Sequence, residues 1–188
     1  MANAAHQIER LSRGHLTDGP LRLNLGCRTT RIDGFLNVDL YEGDNVDVKS
    51  DVSKLPFDEG SVGVIYASHI LEHFSHTKTL AVLREWRRVL TPDGKLYVAV
   101  PDFDAMVKLY LKVGLSLFVR NTLYGDQGYE LAYHYTAFTF ATLAAACVDA
   151  GFRDVRRIGK MPYGIKDCSG NRDSLTFQPV SLNVEAFA

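Results

Sequence analysis

The sequence predicts an α/β fold in which helices cover both faces of a largely parallel sheet. Short apolar segments of strand length alternate along the chain with segments whose apolar residues recur at helical spacing. Residues 62–67 and 95–100 are almost continuously apolar, as expected for strands that are buried on both faces. The 188 residues suffice for one domain with a substantial core, which we place at residues 21–188, after a leader or short helix at residues 1–20.

The predicted strands end at residues that favour a turn or carry a polar side chain. The first strand meets Gly26, the second ends on Asp39, and the fifth is stopped by Pro101. The tail of the chain supplies two more strands. In chain order, the predicted strands are residues 21–25, 35–39, 46–48, 62–67, 95–100, 154–158 and 181–187.

Two segments between and after these strands have the periodicity of amphipathic helices. Residues 77–90 place their apolar side chains on one face, and the sequence TPDG that follows turns the chain into the fifth strand. Residues 138–150 end at Gly151, with the apolar Phe152 beyond it, which predicts a Schellman ending.

Composition and charge exclude several classes of partner. The formal net charge is −1, whereas a domain that neutralises several phosphates carries a basic surplus, so we expect no nucleic-acid partner. No apolar segment approaches the roughly 20 residues that span a bilayer, and the first residues lack the apolar core of a secretory signal. Three widely separated cysteines predict neither a disulfide framework nor a structural zinc site, which favours a reducing cytoplasm.

The residues that end the strands are the candidates for a binding site, because parallel sheets bind ligands outside the carboxyl ends of their strands. Gly26 allows a sharp turn and a close approach of the backbone to a ligand. Asp39 is suited to accept hydrogen bonds from two ribose hydroxyls, and Asp51 from an adenine amino group. Each of them also has a common structural explanation, as a turn residue, a helix cap or a solvated carboxylate.

Five motifs give the chain a wider resemblance. They are LGC, NVD, LPF, SHILEH and RVLTPDG, in this order. The chain resembles the class I S-adenosylmethionine (SAM)-dependent methyltransferases over about residues 21–187. Within them it is similar to small methyltransferases associated with polysaccharide or cell-surface glycan synthesis. The resemblance implies a Rossmann-like three-layer sandwich whose seven-stranded sheet has the order 3-2-1-4-5-7-6, with the last strand antiparallel.

The same resemblance implies SAM as the cofactor and assigns positions to it. The loop after the first strand lies against the methionine moiety, the end of the second strand holds the ribose, and the segment after the third strand holds adenine. The two residues after the fourth strand face the methionine end. The implied cofactor residues are Gly26, Cys27, Arg28, Asp39, Leu40, Asp51, Val52, Ser68 and His69.

Two features differ from the family pattern. Arg28 occupies a glycine position, so its backbone is strained if the site requires a positive φ, and its side chain either crowds the cofactor or reaches the methionine carboxylate. Only thirteen positions separate Gly26 from Asp39, and three helical turns do not fit between two strands there. The first crossover helix is therefore expected to be reduced to about one turn.

Histidines are the candidates for proton removal from an acceptor hydroxyl, because imidazole titrates near neutral pH. His69 and His73 lie four residues apart, on one face of a predicted helical turn after the fourth strand. With Glu72 they match the HxxEH string of some zinc sites, but no third ligand is visible in the sequence, so no metal is expected. The structural alternative for His73 is to cap the turn or to pack against Phe74.

The segment at residues 102–136 is longer than a simple link, which predicts a lid or acceptor-binding insertion that opens with a helix capped by Asp102. The resembled family carries a YG-Q element and a later histidine here. His134 is the preferred base or acceptor ligand, and a structural histidine beneath a loop is the alternative. The predicted acceptor-binding residues are Asp102, Tyr124, Gln127 and His134.

The leading interpretation is therefore SAM-dependent methylation, most naturally O-methylation, of a small-molecule or carbohydrate-linked acceptor, assisted by His134, His73 or His69. The alternative, motivated by Arg28, is a domain that keeps the fold and binds SAM without transferring methyl groups. A nicotinamide-dependent oxidoreductase is disfavoured because the GxGxxG pattern is absent after the first strand.

Overall fold

The computed structural model describes residues 19–173 and 176–188, so the leader or helix predicted for residues 1–20 falls almost entirely outside the described residues. Within these ranges seven strands form one sheet with the predicted order β3-β2-β1-β4-β5-β7-β6. The first five strands pair in parallel, whereas β7 is antiparallel to both β5 and β6, so the sheet is mixed. The strands are β1 (Leu21–Leu25), β2 (Leu36–Asp39), β3 (Val48–Lys49), β4 (Val62–Ser68), β5 (Leu90–Pro101), β6 (Arg153–Ile158) and β7 (Ser181–Phe187).

Four α-helices accompany the sheet in the described part of the chain: α1 (His76–Val89), α2 (Phe103–Val113), α3 (Leu117–Tyr124) and α4 (Phe140–Asp149). Short 3-10 turns lie at Leu71–His73, Glu130–Ala132, Pro162–Gly164 and Cys168–Gly170. None of the helices in these ranges is long and apolar enough to cross a bilayer.

Helices α1 and α4 form the main core against one face of the sheet. Trp86 of α1 has no exposed surface, and its indole N–H donates to the Val52 carbonyl at 2.9 Å. The end of α4 confirms the predicted Schellman motif, because Phe152 N–H donates to Cys147 O and Gly151 N–H donates to Val148 O. These contacts hold α1 and the end of α4 in place beside the sheet.

The connection from β1 to β2 differs from the prediction, because residues 26–35 contain no helix at all. A buried polar network holds this connection instead. Asn24 and Asn37, which are register partners in β1 and β2, share a hydrogen bond of 2.9 Å between their side-chain amides. The Asn37 side chain also accepts from Ile32 N–H and donates to Asp47. Loop residues, and not the helical layer that the sequence predicted, therefore cover the second face of the sheet at this place. A small apolar cluster forms there from Ile32, Phe35, Tyr66, Ala99 and Met161.

Strand β5 is longer than predicted, because residues 91–94 extend it instead of turning the chain back. Its pairing partners jump from Val62↔Leu90 to Val64↔Lys95, so these four residues form a bulge opposite β4. Beyond β5, Asp102 caps α2 as predicted, its carboxylate accepting from the N–H groups of Asp104 and Ala105. The insertion at residues 102–136 contains two helices, α2 and α3.

Candidate functional site

A cavity of about 860 Å³ opens at the carboxyl ends of β1 and β4. One wall is the loop of residues 26–30 after β1, and another is formed by Ser68 and His69 at the end of β4. Further walls come from α3, from residues 125–134 of the insertion and from the segment before β7, through Asp167, Cys168, Asn171 and Val180. This volume lies within the range of small-molecule sites, roughly 300–1,000 Å³.

The backbone of the loop after β1 adopts left-handed conformations at two positions. Gly26 has a φ of 67°, and a Cβ atom there would lie 2.8 Å from Cδ1 of Ile70, so only glycine fits without a shift. Arg28 has a φ of 44°, which confirms the strained backbone that its glycine-like position suggested. Its N–H donates to Asp39 Oδ2 at 2.8 Å, so the end of β2 supports this conformation.

The side chain of Arg28 turns toward the insertion rather than toward β2. Its guanidinium carbon lies 4.7 Å from the centroid of the Tyr129 ring, a cation–π contact. Both residues line the cavity. Arg28 therefore links the loop after β1 to residues 125–134 at the cavity wall.

The predicted ribose and adenine residues lie beside the cavity and not in its lining. Asp39 is partly buried, and its second oxygen accepts from Tyr41 N–H at 3.1 Å. Asp51 is exposed and accepts from the N–H and hydroxyl of Ser53. The Leu40 side chain is 43% exposed, whereas Val52 is buried. These side chains form a partly open edge that continues from the Gly26 loop.

Cys27 is the buried residue of the loop after β1. Burial first, and then the charges of Asp39 and Asp47, raise the pKa of its thiol to about 12. Its sulfur contacts the Asn45 carbonyl oxygen at 3.8 Å. The side chain is therefore a protonated packing residue, because nucleophilic chemistry requires a thiolate.

His73 and His134 meet at one end of the cavity although 61 positions separate them in the sequence. Their ring centroids lie 4.8 Å apart in an edge-to-face arrangement. His73 Nδ1 is 3.0 Å from Tyr133 O, and His134 Nδ1 is 3.0 Å from Thr122 O. Because a carbonyl oxygen can only accept, Nδ1 carries a proton in both rings, and in the neutral form of each ring Nε2 keeps a lone pair.

Glu72 completes this cluster from beneath. It has no exposed surface, and one ligand atom each of Glu72, His73 and His134 lie within 4.8 Å of one another. Burial raises the pKa of Glu72, but the neighbouring imidazoles, His69 above all, outweigh burial and hold it below its usual range. Burial also lowers the pKa of His134, which favours its neutral form, while the Glu72 charge opposes that shift.

The arrangement of His69 differs from the prediction. His69 and His73 do not share a helical face, because His69 has a φ of 53° and lies before the 3-10 turn Leu71–His73. Its two ring nitrogens are occupied, Nδ1 by Glu72 Oε1 at 3.0 Å and Nε2 by Ser181 Oγ at 2.9 Å. His69 therefore lines the cavity while holding Glu72 in place.

Three of the predicted acceptor residues lie outside the cavity lining. Asp102 is 2% exposed, caps α2 and pairs with Arg157, so its carboxylate is already occupied. Tyr124 and Gln127 are exposed. Tyr124 nevertheless shapes the site, because its carbonyl accepts from His134 N–H at 3.0 Å. The cavity is lined instead by insertion residues that no motif indicated: Asn121, Asp126 and Tyr129.

Comparisons with known proteins relate the chain to methyltransferases. Residues 20–98 match a family model described as a methyltransferase domain. A curated relative, an uncharacterized 37.1 kDa protein in transposon TN4556 of Streptomyces fradiae, is 28% identical over 111 residues. That match covers 54% of this chain and 27% of the relative, so the chain corresponds to about a quarter of that protein's length.

Solved structures match over nearly the whole chain. A SAM-dependent methyltransferase from Archaeoglobus fulgidus aligns with a TM-score of 0.60 at 14% identity, covering 98% of this chain and 93% of that one. One from Methanosarcina mazei gives 0.59 at 17% identity, covering 94% and 96%. The Burkholderia thailandensis 1,6-didemethyltoxoflavin-N1-methyltransferase, solved with 1,6-didemethyltoxoflavin and S-adenosylhomocysteine, gives 0.56 at 17% identity, covering 99% and 79%. At identities this low, the structural similarity shows a shared fold and nothing more specific.

Proposed function

The chain has the fold of the class I SAM-dependent methyltransferases, and we propose that it transfers the methyl group of SAM to a hydroxyl of a small-molecule or carbohydrate-linked acceptor. One observation carries the proposal: a single cavity is lined both by the Gly26–Arg28 loop and by the imidazoles of His73 and His134. A cofactor site and a candidate proton acceptor therefore open into the same space.

The chemistry of the side chains around the cavity fits SAM. The Arg28 guanidinium is a donor for a carboxylate, and the Ser68 hydroxyl is buried without a hydrogen-bond partner among the described residues. Both oxygens of Asp39 already accept a backbone N–H, but a carboxylate offers about four acceptor sites, so it retains capacity for ribose hydroxyls.

In this proposal the loop and the strand ends divide the cofactor between them. Gly26, Cys27, Arg28, Ser68 and His69 hold the methionine moiety. Asp39 and Leu40 hold the ribose, and Asp51 and Val52 hold adenine along the partly open edge. When bound, SAM supplies an activated methyl group on its sulfonium sulfur, and S-adenosylhomocysteine remains after transfer.

The chain's own part is to orient the acceptor and to take its proton. His134 is the preferred base, because its Nδ1–H donates to Thr122 O and its Nε2 is left free. His73 has the same arrangement with Tyr133 O and is the second candidate. His69 acts as a positioning residue, because both of its nitrogens are already engaged.

The insertion is the proposed acceptor-binding region and lid. Asn121, Asp126 and Tyr129 bring amide, carboxylate and phenol groups to the cavity wall, a set suited to a polyhydroxylated acceptor. Tyr124 and Gln127 act through the loop, since the Gln127 amide donates to Tyr124 O and Tyr124 O accepts from His134 N–H. These contacts hold His134 at the cavity.

Calorimetric titration with SAM tests the cofactor part of the proposal. The parent protein is expected to bind SAM, and Asp39→Ala to bind at least about 10-fold more weakly, because one good hydrogen bond to a charged group contributes about 1.5–3 kcal/mol. Asp33→Ala, an exposed aspartate in the same connection, is the matched control and should bind like the parent. A parent protein that does not bind SAM refutes the proposal.

A second candidate function is a SAM-binding domain without methyl transfer, and the contact between Arg28 and Tyr129 favours it. Both residues line the cavity, so a ligand that binds the Arg28 guanidinium competes with that contact. Arg28→Gly removes both the contact and the strained φ. If this variant binds SAM much more tightly than the parent and the parent methylates no acceptor from a panel of glycosides, the non-catalytic function is favoured. Weaker binding by the variant favours Arg28 as a cofactor ligand, and unchanged binding removes the reason for the non-catalytic function.

A further inference from the structure

We propose that Glu72, His73 and His134 form a binding site for one divalent transition-metal ion of the zinc type. One ligand atom from each of the three residues lies within 4.8 Å of the other two. Ligands of a tetrahedral zinc ion with bonds of about 2.0 Å lie about 3.3 Å apart. The three ligand atoms would therefore have to close by up to about 1.5 Å around an ion, and both histidines border the cavity.

The tautomers of the two histidines prepare them for a metal. Each ring donates its Nδ1–H to a backbone carbonyl, His73 to Tyr133 O and His134 to Thr122 O. Metal-binding histidines almost always donate their other ring N–H in this way, which fixes the ring and raises the basicity of the ligating nitrogen. The two carbonyls are supplied by different segments of the insertion, so the pair is held from both sides.

The carboxylate of Glu72 supplies the second, independent observation. The side chain has no exposed surface. Its Oε1 lies at ion-pair distance, 3.0 Å, from His69 Nδ1, and neither carboxylate oxygen has a hydrogen-bond partner in the part of the chain that the structure describes. A buried carboxylate oxygen without a partner is costly. A cation held between Glu72 and the two imidazoles would provide that partner.

The donor set indicates which cations fit. Two imidazole nitrogens and one carboxylate oxygen suit zinc, iron, cobalt or nickel, whereas magnesium and calcium prefer oxygen ligands alone. Three protein ligands leave a coordination position open, as in zinc sites that act in catalysis. His73 and His134 both line the cavity, so the open position faces the space proposed for the acceptor.

Binding of the ion does not depend on the proposed methyl transfer, but its role does. A hydroxyl coordinated to zinc is more acidic than a free one. With an ion bound, the imidazoles of His73 and His134 would hold the metal; the coordinated hydroxyl would give its proton to solvent water, and its oxygen would take the methyl group from the sulfonium. Without the ion, His134 remains the base.

Metal titration of the tag-free, chelator-treated protein tests the site. We expect one equivalent of Zn²⁺ by mass spectrometry, and one equivalent of Co²⁺ with the visible absorption of a low-symmetry site. His134→Ala and His73→Ala should each weaken binding at least about 100-fold, because loss of even an outer-shell partner costs 10–100-fold. His76→Ala, which removes the exposed histidine at the start of α1, is the control and should bind like the parent.

Glu72→Gln separates charge from shape, because it keeps the size of the side chain and removes the anion. Circular dichroism reports whether each variant folds. If Glu72→Gln does not fold, the two histidine variants still decide the test. A parent that retains no Zn²⁺, or variants that bind it like His76→Ala, overturn the metal site. SAM titration of the metal-free protein is a separate arm: its failure refutes the proposed function and leaves the metal result standing.

Discussion

Replacing Asn37 with alanine should lower the free energy of unfolding by about 3–5 kcal/mol, because its side chain is the centre of the network that replaces the first crossover helix. Asn37 is completely buried. Its oxygen accepts from Asn24 Nδ2 and Ile32 N–H, both at 2.9 Å, and its nitrogen donates to Asp47 Oδ2 at 2.8 Å and to Phe35 O at 3.1 Å.

The magnitude follows from the groups that alanine leaves behind. Ile32 N–H and Phe35 O each lose the Asn37 amide, at about 1–3 kcal/mol for each buried group left unsatisfied. The lost bonds to Asn24 and Asp47 add about 1 kcal/mol each, and coupling within the network keeps the total below the simple sum.

Urea denaturation followed by circular dichroism measures this effect. With a denaturant slope of about 2 kcal/mol/M, the unfolding midpoint of Asn37→Ala should fall by about 2 M. Asn45→Ala is the matched control. The Asn45 amide donates at 3.3 Å to Thr29 O in the same connection, but this hydrogen bond is exposed, so the unfolding midpoint of the variant should change little. If both variants unfold at the same urea concentration, the network does not hold the connection and the reasoning is wrong.

Three further changes test separate parts of the structure. Gly125→Ala should displace the loop that holds His134, because the new Cβ would lie 1.7 Å from the backbone oxygen of Ala132 and Gly125 has a φ of 77°. The variant should lose more methyl transfer than SAM binding. Equal activity of variant and parent would contradict this placement of His134. Burial raises the pKa of the Asp47 carboxyl, but hydrogen bonds from Asn37 and Arg31 outweigh burial and leave that pKa lowered. Asp47 therefore stabilises the fold above its unfolded pKa of about 3.9, and this stability is lost as the pH falls from there through the lowered folded pKa. Asp47→Asn should therefore flatten the acid limb of a stability–pH curve, and a parallel curve would count against the shift. In the native protein, iodoacetamide should label Cys168 faster than Cys27 and Cys147, because Cys168 is exposed and the other two are buried.

The sequence predicted the strands and helix ends well where local chemistry decides them. The alternation of apolar segments predicts all seven strands, and Gly151 with Phe152 predicts the Schellman ending of α4. The order of the sheet came from the resemblance to a family, because pairing between distant strands leaves no local signal. The absence of a helix between β1 and β2 was only partly predicted, since spacing limits a helix but does not reveal the asparagine network that replaces it.

The candidate site was predictable in the backbone of the loop after β1 and not in the insertion. A glycine-like position occupied by arginine indicates a positive φ, and Arg28 has one. The meeting of Glu72, His73 and His134 depends on how the insertion folds back over β4, through contacts such as Tyr135 N–H with Glu72 O. Such contacts join residues about sixty positions apart, and no periodicity or motif encodes them. The same holds for the stacking of Arg28 on Tyr129.

A crystal structure of the protein with S-adenosylhomocysteine tests the central claim most directly. We expect ligand density in the cavity at the carboxyl ends of β1 and β4, with the amino-acid end against Gly26–Arg28 and Ser68 and the ribose on Asp39. We also expect the ligand's sulfur to face His73 and His134 across the cavity. Density elsewhere on the chain, or an empty cavity with Arg28 still on Tyr129 at saturating ligand, would contradict the claim.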